Sequence, residues 1–306
     1  MAYHVGVLRA LEEVGGFRPD DADLIVGTSA GSMMGAMLRS GIETSTLWEV
    51  ARGEHPELTL DRDERRPWAA TWASPAEAAR RMVGSAYVLQ RSLFRFPIPP
   101  LPPSLRRLFP GGFFTIADAE DRMGQFMGTD WPERPLWLVT VDVRTGRRVV
   151  LGRRVPPRTD LRTAVLASCA IPAFFQPVRV GRRTLVDGGV HSTTNLDLAS
   201  KIEPDVIVAV VPMAYAPGSP PRGVSMVLRG FAQRRLAAEV GQARRRGARV
   251  LLLRPDRDDL EAMGRNMMRS SGNEDVTRVA FESTARQLAA ERSRDLLAQI
   301  AETATA

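Results

Sequence analysis

Apolar residues at Val5, Leu8, Leu11 and Val14 recur at helical spacing and stop at Gly15-Gly16, which predicts a helix already running where the chain opens. Asp23-Leu24-Ile25-Val26 reads as a short strand entering Gly27-Thr28-Ser29-Ala30-Gly31, and Met33, Met34, Met37 and Leu38 then resume helical spacing. The pattern there is strand, sharp turn, helix. Further strands are expected at Leu136-Trp137-Leu138-Val139-Thr140-Val141 and Val149-Val150-Leu151, joined through Arg144-Thr145-Gly146, and at Thr184-Leu185-Val186 leading into Asp187-Gly188-Gly189. Near-continuous apolar runs, Val206-Ile207-Val208-Ala209-Val210-Val211 and Val250-Leu251-Leu252-Leu253, predict strands buried on both faces, as in a parallel sheet covered by helices. Helical stretches follow over about 224–245 and 276–300. The expected class is therefore α/β, a three-layer α/β/α domain spanning 1–306 with a mostly parallel central sheet. Between about 42 and 134, helical pieces alternate with proline-rich breaks, and the segment 94–103 holds too many prolines for a helix or a central strand. This region reads as a cap inserted over the core.

Composition narrows the function classes. With 44% hydrophobic and 25% charged residues in 306, the chain can bury an ordinary core, and disorder is not expected. No apolar run reaches the roughly 18–20 residues that a membrane-spanning helix needs, and the opening residues lack the layout of a secretory signal. A reducing cytoplasm fits the single cysteine, Cys169, which cannot form an internal disulfide. Three histidines and one cysteine cannot assemble a Cys/His metal cluster, so no metal is expected. The 42 Lys+Arg against 35 Asp+Glu give +7 and a pI near 10.7. Lys201 is the only lysine, and the arginines are spread along the chain, which suits a solvated surface as well as a basic face. Aromatics total 6% and do not interleave with the basic residues, so nucleic acid is not an expected partner.

The chemistry concentrates in two places. Gly27-Thr28-Ser29-Ala30-Gly31 fits G-x-S-x-G, in which flanking glycines, Gly27 and Gly31, allow a turn so tight that the serine hydroxyl stands exposed. A helix beginning just after Ser29 would place positive partial charge beside any anion formed there. The serine needs a base. His4, His55 and His191 are the only imidazoles, and none stands late in the chain where the histidine of an α/β-hydrolase triad belongs. Asp187, ending a predicted strand and followed by Gly188 and Gly189, is the better candidate, because two residues without side chains let the carboxylate approach another backbone. An ordinary Asp-Gly turn gives the same letters. For an aspartate to act as base, the site must exclude solvent and raise its pKa.

Four segments together resemble the patatin-like phospholipase family, serine lipid acyl hydrolases that use a Ser-Asp dyad. They are Ala2 to Leu11, similar to the family's first helix; Ile25 to Ser32, similar to its elbow; Ala167-Ser168-Cys169-Ala170-Ile171-Pro172-Ala173-Phe174-Phe175-Gln176-Pro177, similar to A-S-x-A-x-P-x-x-F-x-P; and Asp187-Gly188-Gly189, matching D-G-[GA]. The resemblance implies Ser29 as nucleophile, Asp187 as general base, a lipid ester as substrate and no cofactor. It assigns no catalytic role to 167–177. The family's opening strand and glycine-rich oxyanion loop precede the first helix and have no counterpart before Met1. The expectation is either a start upstream of Met1 or a lipid-binding or scaffold protein of impaired activity on the same fold. The Ala30 amide is the expected remaining oxyanion donor. The 94–103 segment, flanked by Arg91, Arg95, Arg106 and Arg107, suits a lid, a peripheral membrane contact or a stiff spacer; Arg229, Arg234, Arg235, Arg244, Arg245 and Arg246 suit a wet face or anionic lipid. Met263, Met267 and Met268 suit an acyl channel or core filling.

Overall fold

The computed structural model describes residues 1–58, 74–93, 111–114, 123–153, 157–220, 224–264 and 272–305. The proline-rich segment 94–103, and Met267 and Met268, lie outside them. In chain order the α-helices are α1 (Ala2–Glu13), α2 (Ala30–Arg39), α3 (Thr44–Arg52), α4 (Pro75–Leu93), α5 (Leu161–Cys169), α6 (Leu196–Ala199), α7 (Val224–Arg245), α8 (Arg257–Met263), α9 (Asn273–Leu288) and α10 (Glu291–Thr305). The strands are β1 (Ile25–Gly27), β2 (Leu136–Asp142), β3 (Arg147–Leu151), β4 (Val178–Val180), β5 (Arg183–Asp187), β6 (Val206–Val210) and β7 (Arg249–Leu253). Two compact units divide the chain, one formed by 24–40 with 63–191 and the other by 1–23, 41–62 and 192–306.

The first unit is built on a five-stranded sheet in the order β1-β2-β5-β4, with β3 also paired to β2. β3 occupies one edge of β2 along Leu138–Asp142. β5 pairs with Thr140 to Asp142 and must use the other edge. β1 shares that second edge. Successive backbone groups of a strand point to opposite edges, and both the Pro135 carbonyl, which accepts from Ile25 N–H at 3.2 Å, and the Val143 N–H, which donates to Thr184 at 2.9 Å, belong to odd-numbered residues. β1 runs parallel to β2 and β5 antiparallel, with Gly27 opposite Leu138 and Asp187 opposite Thr140. The C-terminal ends of β1 and β5 therefore converge on Val139.

Side chains alternate between the sheet faces, and each face carries a helix. Gly35 of α2 packs on Ile25 and Leu136. On the opposite face Val88 of α4 joins Val141, Val143 and Val186 in a buried cluster. α5 starts where the Asp160 carboxylate accepts from Thr163 N–H at 2.8 Å, an N-cap, and runs against β5 and β2.

In the second unit β6 and β7 pair in parallel, from Val206 opposite Arg249 to Val210 opposite Leu253. Leu236, Val240 and Ala243 of α7 cover Ile207 and Val250. α1 is buried nearly all round, with Tyr3, Val5, Val7, Ala10 and Leu11 almost inaccessible, and packs against α9 and α3. Such burial is what a helix without a polar stripe requires.

The α/β class expected from the apolar pattern is the class observed, and β6–β7 are parallel as their continuous apolar runs predicted. The five-stranded sheet is mixed, however, rather than mostly parallel: its β2–β3, β2–β5 and β4–β5 pairings are antiparallel. Short hairpins through Gly146 and Gly181, both at positive φ, join β2 to β3 and β4 to β5 and leave those pairs no room for the crossover that parallel neighbours need. The helix expected over 276–300 is two helices, α9 and α10. No glycine or proline stands at their junction, Ala289-Ala290.

Candidate active site

β1 delivers the chain to Ser29, which adopts φ 53°, ψ −124° immediately before α2 begins at Ala30. Such a conformation is costly for a residue with a Cβ. Gly27 makes it attainable: a Cβ there would stand 2.5 Å from Ser32 Cα and 2.7 Å from the Gly31 carbonyl oxygen, so only hydrogen lets the strand fold back on the helix start. The turn is pinned from within. Gly31 N–H donates to the Thr28 carbonyl at 2.9 Å, and the buried Ser32 hydroxyl donates to the Ser29 carbonyl at 2.6 Å. Ser29 itself is half-buried and keeps access to solvent. Ala30 occupies the first position of α2, where an N–H has no acceptor within the helix.

Asp187 comes to the same place from β5. Its carboxylate is 5% exposed and accepts from Gly189 N–H at 2.7 Å. A Cβ on Gly188 would lie 2.5 Å from the Val139 carbonyl oxygen, so this glycine lets the chain pass directly against β2. Burial pushes the Asp187 carboxyl up from an ordinary 3.8 to about 6, while hydrogen bonding from Gly189 N–H and from the Ser29 hydroxyl partly offsets it. Residues 158 positions apart in sequence thus share one hydrogen-bonding environment.

The piece that joins them is the end of α5. Ser168, with no exposure, donates its hydroxyl proton to the Val139 carbonyl at 2.8 Å and accepts from Ser29 N–H at 3.1 Å. Cys169 Sγ lies 3.7 Å from Ser32 Oγ, and the Ala170 carbonyl accepts from Asp187 N–H at 2.9 Å. Three consecutive residues therefore tie the serine turn, the helix behind it and the aspartate strand to one another. Burial, followed by the nearby Asp187 charge, pushes the Cys169 thiol up to about 12, which keeps it protonated. Sequence reasoning gave this segment no part in the site. Its signal was the run of small residues Ala167-Ser168-Cys169-Ala170, which allows close backbone approach.

The histidines stand elsewhere in the chemistry. His4 sits buried on α1, and burial pushes it down to about 3. The His55 ring accepts backbone N–H bonds from Glu57 and Leu58 through Nδ1. His191 ends the short turn after Asp187 by donating its own N–H to the Gly188 carbonyl. None of them is among the groups that shift Asp187. Met263, half-buried, ends α8. No three His, Cys, Asp or Glu side chains converge as a metal site among the described residues, and no helix among them is long and apolar enough to cross a membrane.

A serine is thus held at positive φ between a strand and a helix, in the same unit of an α/β protein as a carboxylate raised by burial. The family model described as Patatin-like phospholipase matches residues 1–200, more than half of the 306, and every site residue above falls inside that match. The chain belongs to the patatin-like phospholipase family, a family of lipid acyl hydrolases.

Proposed function

We propose that the protein hydrolyses carboxyl-ester bonds of lipids, with Ser29 as nucleophile and Asp187 as general base. The observation that carries this reading is the convergence of the Ser29 turn and the desolvated Asp187 carboxylate at Val139, both tied to the end of α5. Ser29 Oγ attacks the acyl carbonyl carbon while its proton passes to Asp187. The tetrahedral oxyanion collapses, the bond to the leaving alcohol breaks, and Asp187 returns the proton to that oxygen, leaving an acyl-serine. Water then attacks the acyl carbon, gives a proton to Asp187 and releases the fatty acid as the proton goes back to Ser29. No cofactor enters any step.

One feature supports the Ala30 amide as oxyanion donor and another supports Asp187 as base. Ser29 N–H is already committed to Ser168, which leaves the Ala30 amide, at the positive end of α2, as the elbow's donor. A carboxylate near 6 is also better matched to accept a serine proton at neutral pH than a solvated aspartate near 3.9.

Replacing Ser29 by Ala should abolish labelling by a fluorophosphonate probe and turnover of a p-nitrophenyl ester. Asp187→Asn should retain the fold and lose at least about 10³ in kcat, as removal of a catalytic partner does in serine hydrolases. Undiminished labelling of the Ser29→Ala protein would overturn the assignment.

A further inference from the structure

α7 spends one side on the core, where Ala232, Leu236, Val240 and Ala243 are buried. A helix so placed normally turns charged and polar residues outward. The first turns of α7 instead expose Met226 at 53%, Leu228 at 60% and Phe231 at 64%, three of the seven large hydrophobic side chains exposed among the described residues, all within six positions, with Leu228 and Phe231 on one face. Farther along, Arg234, Arg235, Arg244 and Arg245 are exposed, and Arg246 follows directly. Arg234 lies over the Phe231 ring, 5.8 Å from its centroid. The helix contains one acid, Glu239, which is 3% exposed and accepts from the Thr194 hydroxyl, Leu196 N–H and Arg235. Every exposed charge along α7 is therefore positive.

The contrast with α8 and α9 is direct. On α9 Arg278 stands between Asp275 and Glu282, and on α8 Arg257 faces Glu261, the alternation of sign that a solvated helix uses. α7 forgoes it and adds bulky apolar residues. Cationic and apolar side chains without exposed acids are what a helix needs to lie on a lipid surface, the apolar groups entering the headgroup boundary and the arginines meeting anionic headgroups. A second copy of this chain would bring the same positive charge to the same face, so a two-fold self-association there is opposed.

We propose that the exposed side of α7 docks the protein on an anionic lipid bilayer. This rests on reading the substrate as a lipid, and not on the roles of Ser29 and Asp187. The test is flotation of the full chain with vesicles of phosphatidylcholine alone or with 30% phosphatidylglycerol, at low and high salt. The wild type is expected to bind the anionic vesicles at least about 100-fold more tightly and to lose that preference in high salt. Each arginine near such a surface strengthens binding roughly fivefold, so Arg234→Gln, Arg244→Gln and Arg245→Gln combined should weaken it by about 100-fold. Leu228→Ser with Phe231→Ser should weaken binding to both vesicle types, with p-nitrophenyl ester turnover and circular dichroism unchanged. Equal binding to neutral and anionic vesicles, unchanged binding in both variants, or a homodimer that Leu228→Ser with Phe231→Ser dissolves would each overturn the proposal. Failure is separable from that of the catalytic reading: a Ser29→Ala protein that floats normally leaves docking intact, and ester turnover without flotation removes docking alone.

Discussion

Ser29 carries a local backbone cost. At φ 53° and ψ −124° it occupies backbone space that a Cβ disfavours by roughly 1–3 kcal/mol, and Gly27 and Ser32 hold it there. Ser29→Gly should therefore unfold at higher urea than Ser29→Ala, by about 1 kcal/mol, although both lack the hydroxyl. Equal stability of the two variants would mean that the turn is not strained. The carboxylate beside it sets the pH response. In the proposed mechanism Asp187 must be ionised to accept the serine proton, so kcat/KM for a p-nitrophenyl ester should rise tenfold per pH unit below about 6 and level off above it. A limb near pH 4 instead would show a solvated carboxylate.

Among the elements, α5 does more than pack. Its last turn places Ser168 between Val139 and Ser29, so the serine turn is tied to the sheet edge by a side chain from a third segment. Ser168→Ala leaves the Val139 carbonyl and Ser29 N–H without that partner, which should cost about 1–3 kcal/mol of stability. If Ser168 positions the nucleophile, kcat for the ester should also fall roughly 10–100-fold while KM changes little, as a displaced reacting group predicts. A loss of stability with kcat unchanged would restrict Ser168 to packing. The elements themselves were legible to different degrees. α7 falls on the expected 224–245, closing on its terminal arginines just before Gly247 at positive φ. α5 has a good N-cap in Asp160 but lies in an Ala/Ser-rich stretch without strong amphipathic contrast, so periodicity alone did not single it out. The break between α9 and α10 has no local breaker at all.

At the scale of the molecule, buried carboxyls tie stability to pH. Burial raises Asp187 in one unit and Asp259 in the other to about 6. The folded state holds these protons between about pH 4 and 6 where the unfolded chain has released them, so their contribution to stability is full below pH 4 and is lost as pH rises through 6. Moving one carboxyl from 3.8 to about 6 corresponds to about 3 kcal/mol. Asp187→Asn cannot ionise and keeps an acceptor for Gly189, so it should exceed the wild type by up to about 3 kcal/mol at pH 8 and match it near pH 4, measured by urea unfolding at both pH values. A difference independent of pH would mean that burial of the charge is not its cause. The amino-acid sequence by itself determined the α/β class, the strand-turn-helix around Ser29 and the Asp187-Gly188-Gly189 strand end, because these are written in short-range periodicity and in glycines whose missing side chains have local consequences. The tertiary structure alone decided that β1 and β5 meet end to end on one edge of β2, that the five-stranded sheet is mixed, and that Ser168 bridges the two halves of the site. Strand partners and hydrogen bonds between distant segments depend on which surfaces bury one another, and no window of the sequence contains both sides of such a contact.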